Sequence, residues 1–428
     1  MSTSSPEQAQ VSISPDDKSG VFEFYQDMNS KERKTFWACS SGFALDAMDF
    51  MIFPLIIGTL ISLWHIDAKT AGGIATMTLW ASAIGGWMGG FLSDRIGRVR
   101  TMQITILLFS LGSLLSAFAQ NAEQLMLFRI LLGIGFGGEA AVAAVTLSEV
   151  IRARYRGRAM GFYASSYSIG WGVAVLLQAL TFTLLTPEMA WRVMFGIGAL
   201  PALLILFLRR NVEEPGLSVA MQRGQDKPSL LGIFKNGNFG STLFGSLLSI
   251  GAQGGFYSLM IWMPQFLRAE RKISIIGSTP YLMTVIIGAF LGYATGGWLA
   301  DRAGRKIVLI SSSVCAASLA YIYTHVPINS DFLMLFIGMP LGFFASAIYS
   351  AMLAILNELF PTNVRGSGVG FTYNAGRAVG GLFPFLIGAV TATLPLSGAI
   401  SFFAFVSYGL IFVTALFLRE SNGMELRA

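Results

Sequence analysis

The chain has 428 residues, of which 54% are hydrophobic and 12% are charged, whereas soluble globular domains carry about 25% charged residues. Its formal net charge is +6, but the basic residues fall in short segments between apolar runs, which argues against a nucleic-acid-binding protein. The two cysteines, Cys39 and Cys315, lie far apart in apolar stretches, so neither a disulfide framework nor a metal site is expected.

Apolar runs recur along the chain at the length that crosses a lipid bilayer. The stretches 104–119, 193–208 and 399–418 contain no charged residue, and about 20 apolar residues span the hydrocarbon layer. The pattern therefore predicts an all-α membrane protein in contact with the lipid bilayer. About twelve spanning helices are expected, near 36–63, 72–92, 101–119, 124–147, 158–184, 190–208, 239–267, 280–299, 307–324, 331–356, 367–392 and 396–418.

A longer and more polar stretch at 209–238 divides the predicted helices into two sets of six. We therefore predict an N-terminal six-helix bundle at 36–208, a cytoplasmic central loop at 209–238 and a C-terminal six-helix bundle at 239–418. Residues 1–35 are polar and lack the apolar core of a cleavable signal peptide, so they are expected to form a cytoplasmic tail. A second short cytoplasmic tail is expected at 419–428.

Lysine and arginine are concentrated in alternate loops and in the stretch 209–238. Because cations are enriched in the cytoplasmic loops of membrane proteins, these loops and both termini are predicted to face the cytoplasm from the inner (plasma) membrane. One group departs from the pattern, since Arg268, Arg271 and Lys272 follow the seventh predicted helix on the opposite side.

A charged motif repeats between the two halves. Gly-Phe-Leu-Ser-Asp-Arg-Ile-Gly-Arg at 90–98 returns as Gly-Trp-Leu-Ala-Asp-Arg-Ala-Gly-Arg at 297–305, and a glutamate and an arginine after the fourth helix return after the tenth at nearly the same offset. Such repeats indicate two parallel bundles with a substrate site between them. The charged residues are Asp94, Arg95, Arg98, Glu149 and Arg156 in the first half, and Asp301, Arg302, Arg305, Glu358 and Arg365 in the second. We expect them to form gating ion pairs at the cytoplasmic rim; the alternative is that they only fix the orientation.

Two aspartates in the first predicted helix, Asp46 and Asp49, lie three residues apart and share a helical face. A charge at membrane depth is costly and indicates a function, and neighbouring carboxylates away from bulk water favour holding a proton. We therefore predict that this pair couples transport to protons. The alternative is a structural pair with Arg377, or a polar lining of a cavity.

The fourth predicted helix holds Arg129 and Glu139, with a run of glycines between them. No strand precedes these glycines, so a dinucleotide-binding fingerprint is excluded and close helix packing is favoured. Glu139, near the middle of the membrane, is predicted to carry a proton or to balance a buried cation. Arg129 is expected to serve proton relay or helix packing rather than to contact substrate.

Arg377 lies inside the eleventh predicted helix, three residues from Asn374 and on the same face. A guanidinium binds a carboxylate through two parallel hydrogen bonds, so Arg377, with Asn374 and Tyr373, is predicted to bind an anion in a central cavity. The alternative is a permanent ion pair with an aspartate of the first helix. Gln253 and Tyr257, four residues apart on the seventh helix, are predicted to line the same cavity or else to serve plain packing.

The doubled Gly-x-x-x-Asp-Arg-x-Gly-Arg loops resemble the signature of the major facilitator superfamily, and the resemblance covers essentially the whole chain. Asp46-x-x-Asp49-Phe, Tyr257-Ser-x-x-x-Trp-x-Pro and Tyr373-Asn-x-Gly-Arg377 are similar to motifs of the sialate, lactate and aromatic-acid symporters. The resemblance implies the major facilitator fold, with two pseudo-symmetric six-helix bundles. It also implies proton-coupled uptake of a small organic anion by a monomer without a cofactor, with proton coupling at the aspartates and substrate recognition at Arg377.

Other functions remain open at this point. A proton-coupled sugar or polyol symporter is favoured by Gln253, because sugar porters carry a glutamine there, but no Pro-Glu-Thr-Lys-Gly-like segment follows the sixth or twelfth helix. A drug/proton antiporter needs a Gly-Pro step in the fifth helix, where residues 170–173 read Gly-Trp-Gly-Val. A membrane sensor or an enzyme ranks lower, since no appended domain, nucleophile–base pair or metal cluster stands out. Ala47 also departs from the Asp-Gly step common in the aromatic-acid group, so the carboxylate itself is not identified.

Overall fold

The computed structural model describes residues 23–151, 156–200, 202, 233–235, 237–327, 331–361 and 364–418, and this part of the chain is α-helical without a β-strand. Eight of its helices are long and apolar enough to cross a membrane. Large apolar side chains cover the outside; Phe336 is 73% exposed and Phe405 is 68% exposed. Such a surface is unfavourable in water, so the protein is an integral membrane protein, as the sequence predicts.

The helices follow one another with short connections. After a single turn at Glu23–Gln26, the first half contains α1 (Ser30–Trp64), α2 (Ala68–Ile96), α3 (Arg98–Ala117), α4 (Ala122–Val150), α5 (Arg156–Leu184) and α6 (Pro187–Gly198). The second half contains α7 (Phe239–Ala269), α8 (Thr279–Ala303), α9 (Arg305–His325), α10 (Asp331–Leu359), α11 (Arg365–Gly380), α12 (Phe383–Val390) and α13 (Leu396–Phe417).

Residues in the connections fix where the helices begin and end. Asn29, Asp67 and Asn121 each accept a hydrogen bond from a backbone N–H three residues ahead and so cap α1, α2 and α4. The helices α2 and α8 end at Gly97 and Gly304, whose φ angles of 101° and 96° suit glycine. These glycines occupy the same position of the repeated motif, so the two halves repeat in backbone conformation as well as in sequence.

Small residues allow close packing within each half. The helix α2 packs on α4, and the equivalent α8 packs on α10. A Cβ atom at Gly137 would overlap the carbonyl oxygen of Ser82, and one at Gly342 would overlap that of Val285. Helices without side chains at their crossing points approach closely, which is a common basis of association inside membranes.

The halves meet through α1 with α7, through α2 with α11 and α12, and through α5 with α8. We call the end of the bundle at residues 64–68 the Trp64 end, and the end at 96–98 the Gly97 end. Near the Trp64 end, Arg268 Nη1 donates a hydrogen bond of 3.1 Å to Thr59 Oγ1, and a Cβ at Gly58 would overlap the side chain of Gln265. The two halves are therefore in direct contact near the Trp64 end.

One predicted helix differs in the structure, and another is described only in part. The eleventh, expected as one helix at 367–392, is divided into α11 and α12. Pro384 has no N–H to bond the carbonyl of Gly380, and the pair Gly380–Gly381 bends easily, so the helix breaks there. Of the sixth, expected at 190–208, the structure describes α6 and residues 199, 200 and 202.

Several predictions fall on residues outside the described part of the chain. Most of the central loop at 209–238 belongs to this group, as do residues 1–22 of the N-terminal tail and the tail at 419–428. The side chains of four predicted gating residues also lie outside it: Asp94, Glu149, Arg156 and Asp301.

Candidate functional site

Arg377 lies on α11 where the two halves meet, and only 6% of it is exposed. Its Nη1 donates a hydrogen bond of 2.9 Å to Ser82 Oγ on α2, and the guanidinium carbon lies 5.3 Å from the centre of the Tyr373 ring. The guanidinium carbon lies 5.6 Å from the centre of the Phe136 ring. In the part of the chain that the structure describes, no carboxylate pairs with Arg377, and its Nε atom has no hydrogen-bond partner.

Hydrogen bonds hold the predicted neighbours of Arg377 in one frame. The Tyr257 hydroxyl donates to Gln253 Oε1 at 2.9 Å, and Gln253 Nε2 donates to the Tyr373 carbonyl oxygen at 2.7 Å. Gln253 is 1% exposed, so the frame joins α7 to α11 inside the protein. The structure thus brings Arg377, Tyr373, Gln253 and Tyr257 together, as expected for one binding site.

Asn374 has a different environment. Its Nδ2 donates to the Gly370 carbonyl oxygen of its own helix at 2.9 Å, while its buried Oδ1 has no donor among the described residues. The Oδ1 atom faces Gly86 on α2, where a Cβ would lie only 2.9 Å away. Asn374 therefore offers one acceptor at the contact between the halves.

Aromatic rings from both halves surround Phe256 on α7. The centre of its ring lies 5.9 Å from Tyr167 and 6.5 Å from Trp171 on α5, 6.1 Å from Tyr257, and 5.8 Å from Tyr349 on α10. Aromatic pairs at these separations attract each other and present flat apolar faces. Through Tyr257 this aromatic group adjoins Arg377, so a cation and flat apolar surfaces occur side by side.

Asp49 lies on α1 and is completely buried. The Ser113 hydroxyl on α3 donates a hydrogen bond of 2.5 Å to its Oδ1 and is 2.9 Å from the Phe195 carbonyl oxygen. A Cβ at Gly198 on α6 would overlap the same Oδ1 atom. The carboxylate therefore occupies a pocket whose shape depends on a serine and a glycine from two other helices.

Arg129 on α4 is the cation that interacts electrostatically with Asp49. It is 1% exposed, and its guanidinium carbon lies 6.0 Å from the ring centre of Phe50, 5.3 Å from that of Phe53 and 5.7 Å from that of Phe195. Three aromatic faces around a guanidinium give favourable cation–π contacts in place of water. Arg129 is thus enclosed by packing and does not reach Arg377 or its frame by any described contact.

The carboxyl groups of Asp46 on α1 and Glu139 on α4 face each other within hydrogen-bonding reach. Both residues are completely buried. Among the described residues no donor reaches any of their four oxygen atoms. The sequence grouped Asp46 with Asp49 on one helical face, whereas the structure gives the two aspartates different direct partners.

The described gating residues lie at the Gly97 end. Arg305 at the start of α9 forms an ion pair with Glu358 near the end of α10, within the second half. The guanidinium of Arg95 lies over the Phe91 ring at 4.2 Å, and that of Arg302 lies over the Trp298 ring at 4.8 Å. Two further arginines bond nearby groups: Arg98 donates to Ser93 Oγ at 2.5 Å and Arg365 donates to the Phe360 carbonyl at 3.2 Å.

The residues of the site that were not found from the sequence include Ser82, Phe136, Ser113 and Phe256. The two serines lie in apolar segments that contain other serines, so nothing in the sequence distinguishes them. Phe136 precedes Glu139 by three residues and hence shares its helical face, which is a usable signal. Phe256 directly precedes Tyr257 but has no further distinguishing feature.

Comparison with known proteins yields one family and several relatives. The chain matches the Major Facilitator Superfamily over residues 39–384 and 281–425. It is 37% identical over 408 residues to the "Probable 4-methylmuconolactone transporter" of Cupriavidus pinatubonensis (strain JMP 134 / LMG 1197), covering 95% of each chain. It is 29% identical over 364 residues to the "Putative niacin/nicotinamide transporter NiaP" of Bacillus subtilis (strain 168), covering 84% of this chain and 89% of the relative.

Two further similarities agree with these. The "Cis,cis-muconate transport protein" of Acinetobacter baylyi (strain ATCC 33305 / BD413 / ADP1) is 26% identical over 391 residues, covering 88% of this chain and 92% of the relative. Among solved structures, a D-xylose-proton symporter superposes with a TM-score of 0.73 at 19% identity, covering 93% of this chain and 98% of that one. At this identity the superposition shows a shared fold only.

Proposed function

The chain belongs to the Major Facilitator Superfamily, and on that premise we propose that it takes up a small organic anion together with a proton, by alternating access. The family and the relatives are transporters rather than enzymes, which agrees with the prediction from the sequence. One observation carries the choice of an anion: Arg377 is buried at the contact between the halves, where the Ser82 hydroxyl and aromatic rings, but no described carboxylate, contact it.

A buried guanidinium without a counter-ion is energetically costly, because its charge has left water without meeting a negative charge. A bound carboxylate removes this cost by accepting two parallel hydrogen bonds. The hydrogen bond to Ser82 and the rings of Phe136 and Tyr373 already hold the guanidinium in place, so the substrate meets an oriented cation. Gln253 acts through Tyr257 and Tyr373, and Asn374 offers its free Oδ1 at the edge of the site.

The aromatic group around Phe256 favours a flat carboxylate. Relatives are named as transporters of 4-methylmuconolactone, of cis,cis-muconate and of niacin/nicotinamide. Niacin and cis,cis-muconate are flat molecules that carry carboxylate groups, and such molecules fit between aromatic faces. We therefore place the carboxylate at Arg377 and the flat body of the substrate against Phe256 and its neighbours.

Proton coupling is assigned to the buried charges of the first half, Asp46, Asp49, Glu139 and Arg129. All four are at most 1% exposed, and ionisable groups at this depth mark proton or ion pathways. Protonation of a carboxylate there changes the charge that the closed protein must hold, and hence the balance between the two states of access.

From the charge bias of the loops we infer that the Gly97 end and both termini face the cytoplasm and that the protein lies in the inner membrane of the cell. The Arg305–Glu358 ion pair and the other rim charges of the repeated motifs then lie at the cytoplasmic gate. In the cycle, the Trp64 end opens first, the anion and the proton bind, and the halves rock about the site to expose it inward. We propose that one chain, with its bundles at 36–208 and 239–418, performs this cycle as a monomer.

The test is substrate-dependent proton influx into proteoliposomes. Cis,cis-muconate, nicotinate, benzoate, xylose and a cationic drug are added in turn, and the internal pH is followed with a trapped dye. Influx with one or more carboxylates, lost in Arg377→Ala and kept in the control Arg271→Gln, supports the proposal. Influx with xylose alone promotes a sugar symporter, and alkalinisation by the drug promotes an antiporter.

A further inference from the structure

Two buried carboxyl groups in contact, those of Asp46 and Glu139, raise the question of how their charge is balanced. Neither residue is exposed to any extent, and no described donor reaches their oxygens. An ionised carboxylate only accepts hydrogen bonds, so these two groups can bond to each other only when one of them carries a proton. If both carboxyl groups were ionised, their negative charges would repel strongly inside a membrane without a compensating cation.

Asp49, one turn further along α1, differs in both respects. Its Oδ1 accepts the 2.5 Å hydrogen bond from Ser113, and the charge of Arg129 acts on it. A carboxylate that receives a hydroxyl hydrogen bond and faces a guanidinium is stabilised in its ionised form. Of these three buried acids, Asp49 thus has a hydroxyl donor at Oδ1 and an attracting cation, whereas its Oδ2 and the Asp46–Glu139 pair have no described hydrogen-bond donor.

The groups around the Asp46–Glu139 pair also favour a bound proton. The Tyr163 hydroxyl on α5 interacts with both carboxyls and is buried without a hydrogen-bond partner among the described residues. The other titratable groups that interact with the pair are Cys39 and Asp49, both on α1. No described cation faces the pair, whereas an additional hydroxyl group faces it.

The pair is also connected to the anion site. Phe136 lies one turn from Glu139 on α4, and Phe50 lies one turn from Asp46 on α1. Their rings stack at 4.9 Å with an angle of 11° between the planes, and Phe136 lies beneath the Arg377 guanidinium. Any change in the spacing of Asp46 and Glu139 therefore moves the ring on which Arg377 rests.

We propose that the transported proton is shared by Asp46 and Glu139, while Asp49 serves as the counter-ion of Arg129. This proposal rests on the proposed function, because only a proton-coupled transporter carries this proton across the membrane. When the proton leaves toward the cytoplasm, two adjacent carboxylates repel and separate α1 from α4. The stacked rings of Phe50 and Phe136 pass this displacement to Arg377 and weaken its hold on the anion.

The first test needs no substrate. Infrared difference spectra of the purified protein in liposomes record the C=O stretching band of protonated carboxyl groups during a pH titration. We expect this band near neutral pH in the wild type, in Asp49→Asn and in Glu123→Gln, whose carboxyl is exposed on the same helix α4. The band should be lost in Asp46→Asn and in Glu139→Gln, because an amide donor lets the remaining acid ionise.

Loss of the band in Asp49→Asn together with its retention in Asp46→Asn and Glu139→Gln would overturn the proposal. Glu139→Asp guards against misfolding, since it keeps the acid and should keep the band. The second test measures proton influx and counterflow with cis,cis-muconate, nicotinate and benzoate. Asp46→Asn and Glu139→Gln should exchange the carboxylate without proton influx, and unchanged influx in both would contradict the proposal. If the wild type transports none of the three, the proposed function fails, but the infrared result still decides where the proton resides.

Discussion

The two buried charge centres of this protein are built in opposite ways. In the second half, Arg377 has hydroxyl and aromatic neighbours and no described acid. In the first half, Asp46 and Glu139 are acids that touch each other and have no described cation. A cation without an acid attracts an anion, and an acid pair without a cation attracts a proton. In the proposed function, the protein therefore keeps these opposite charges apart and leaves each to be neutralised by a ligand, the anion at Arg377 and the proton at the acid pair.

The largest effect is expected from removing the cation. Arg377→Ala should lower the uptake efficiency for the carboxylate by about 100-fold or more, since losing a buried charged partner costs about 3 kcal/mol. Arg377→Lys keeps the positive charge but cannot form two parallel hydrogen bonds, so its uptake efficiency should lie between those of the wild type and Arg377→Ala. Initial rates over a range of concentrations measure this effect. Uptake at the wild-type rate by Arg377→Ala would mean that the guanidinium serves packing only.

Removing one acid of the pair should have a different signature. Glu139→Gln should abolish accumulation driven by a pH gradient but leave counterflow close to the wild-type rate, because the anion site remains intact. Glu123→Gln is the matched control, with an exposed carboxyl on the same helix. If Glu139→Gln still concentrates the carboxylate against a gradient, the acid pair is not the site of proton coupling.

A smaller effect is expected from crowding the pocket of Asp49. Gly198→Ala places a Cβ where it overlaps Asp49 Oδ1 and lies 2.5 Å from Ser113 Oγ. Overpacking of this kind costs about 1–3 kcal/mol, so the thermal unfolding temperature should drop. Gly196→Ala on the same helix is the control, because a Cβ there meets no atom within 4 Å. Equal unfolding temperatures for the two variants would show that the pocket adapts.

The smallest effect is expected from a comparison of two serines. Ser82→Ala removes the acceptor at 2.9 Å from Arg377 but leaves the guanidinium itself to bind the anion, and a typical intramolecular hydrogen bond contributes about 1 kcal/mol. It should raise KM several-fold without changing the pH dependence. Ser113→Ala removes the donor to Asp49 and should change neither KM nor the pH dependence, because the proposed proton site is the Asp46–Glu139 pair. A raised KM in Ser113→Ala together with an unchanged KM in Ser82→Ala would place substrate recognition near Asp49 instead.

The sequence predicted the buried charges well and their partners poorly. Arg377, Asp46, Asp49, Arg129 and Glu139 stand out in apolar runs, because a charge is rarely placed in a membrane without a function. Helical spacing then shows which residues share a face, but not which neighbouring helix covers that face. The contact of Asp46 with Glu139 therefore became visible only in three dimensions.

The fold was predicted more completely than the site. The repeated loops gave the two halves, and Gly97 and Gly304 have similar backbone angles, as a repeat requires. The break between α11 and α12 was missed, although Gly380, Gly381 and Pro384 mark it in the sequence. Apolar composition continues across that break, and composition alone does not distinguish one spanning helix from two shorter ones.

We propose above all that the anion and the proton bind at separate sites, the anion at Arg377 and the proton at the Asp46–Glu139 pair. The most direct measurement records carboxylate uptake and proton influx in parallel, in proteoliposomes of the wild type, Arg377→Ala and Glu139→Gln. We expect carboxylate uptake and proton influx in the wild type and neither flux in Arg377→Ala. In Glu139→Gln we expect carboxylate exchange without proton influx. Proton influx that accompanies carboxylate uptake in Glu139→Gln at the wild-type ratio would contradict the proposal.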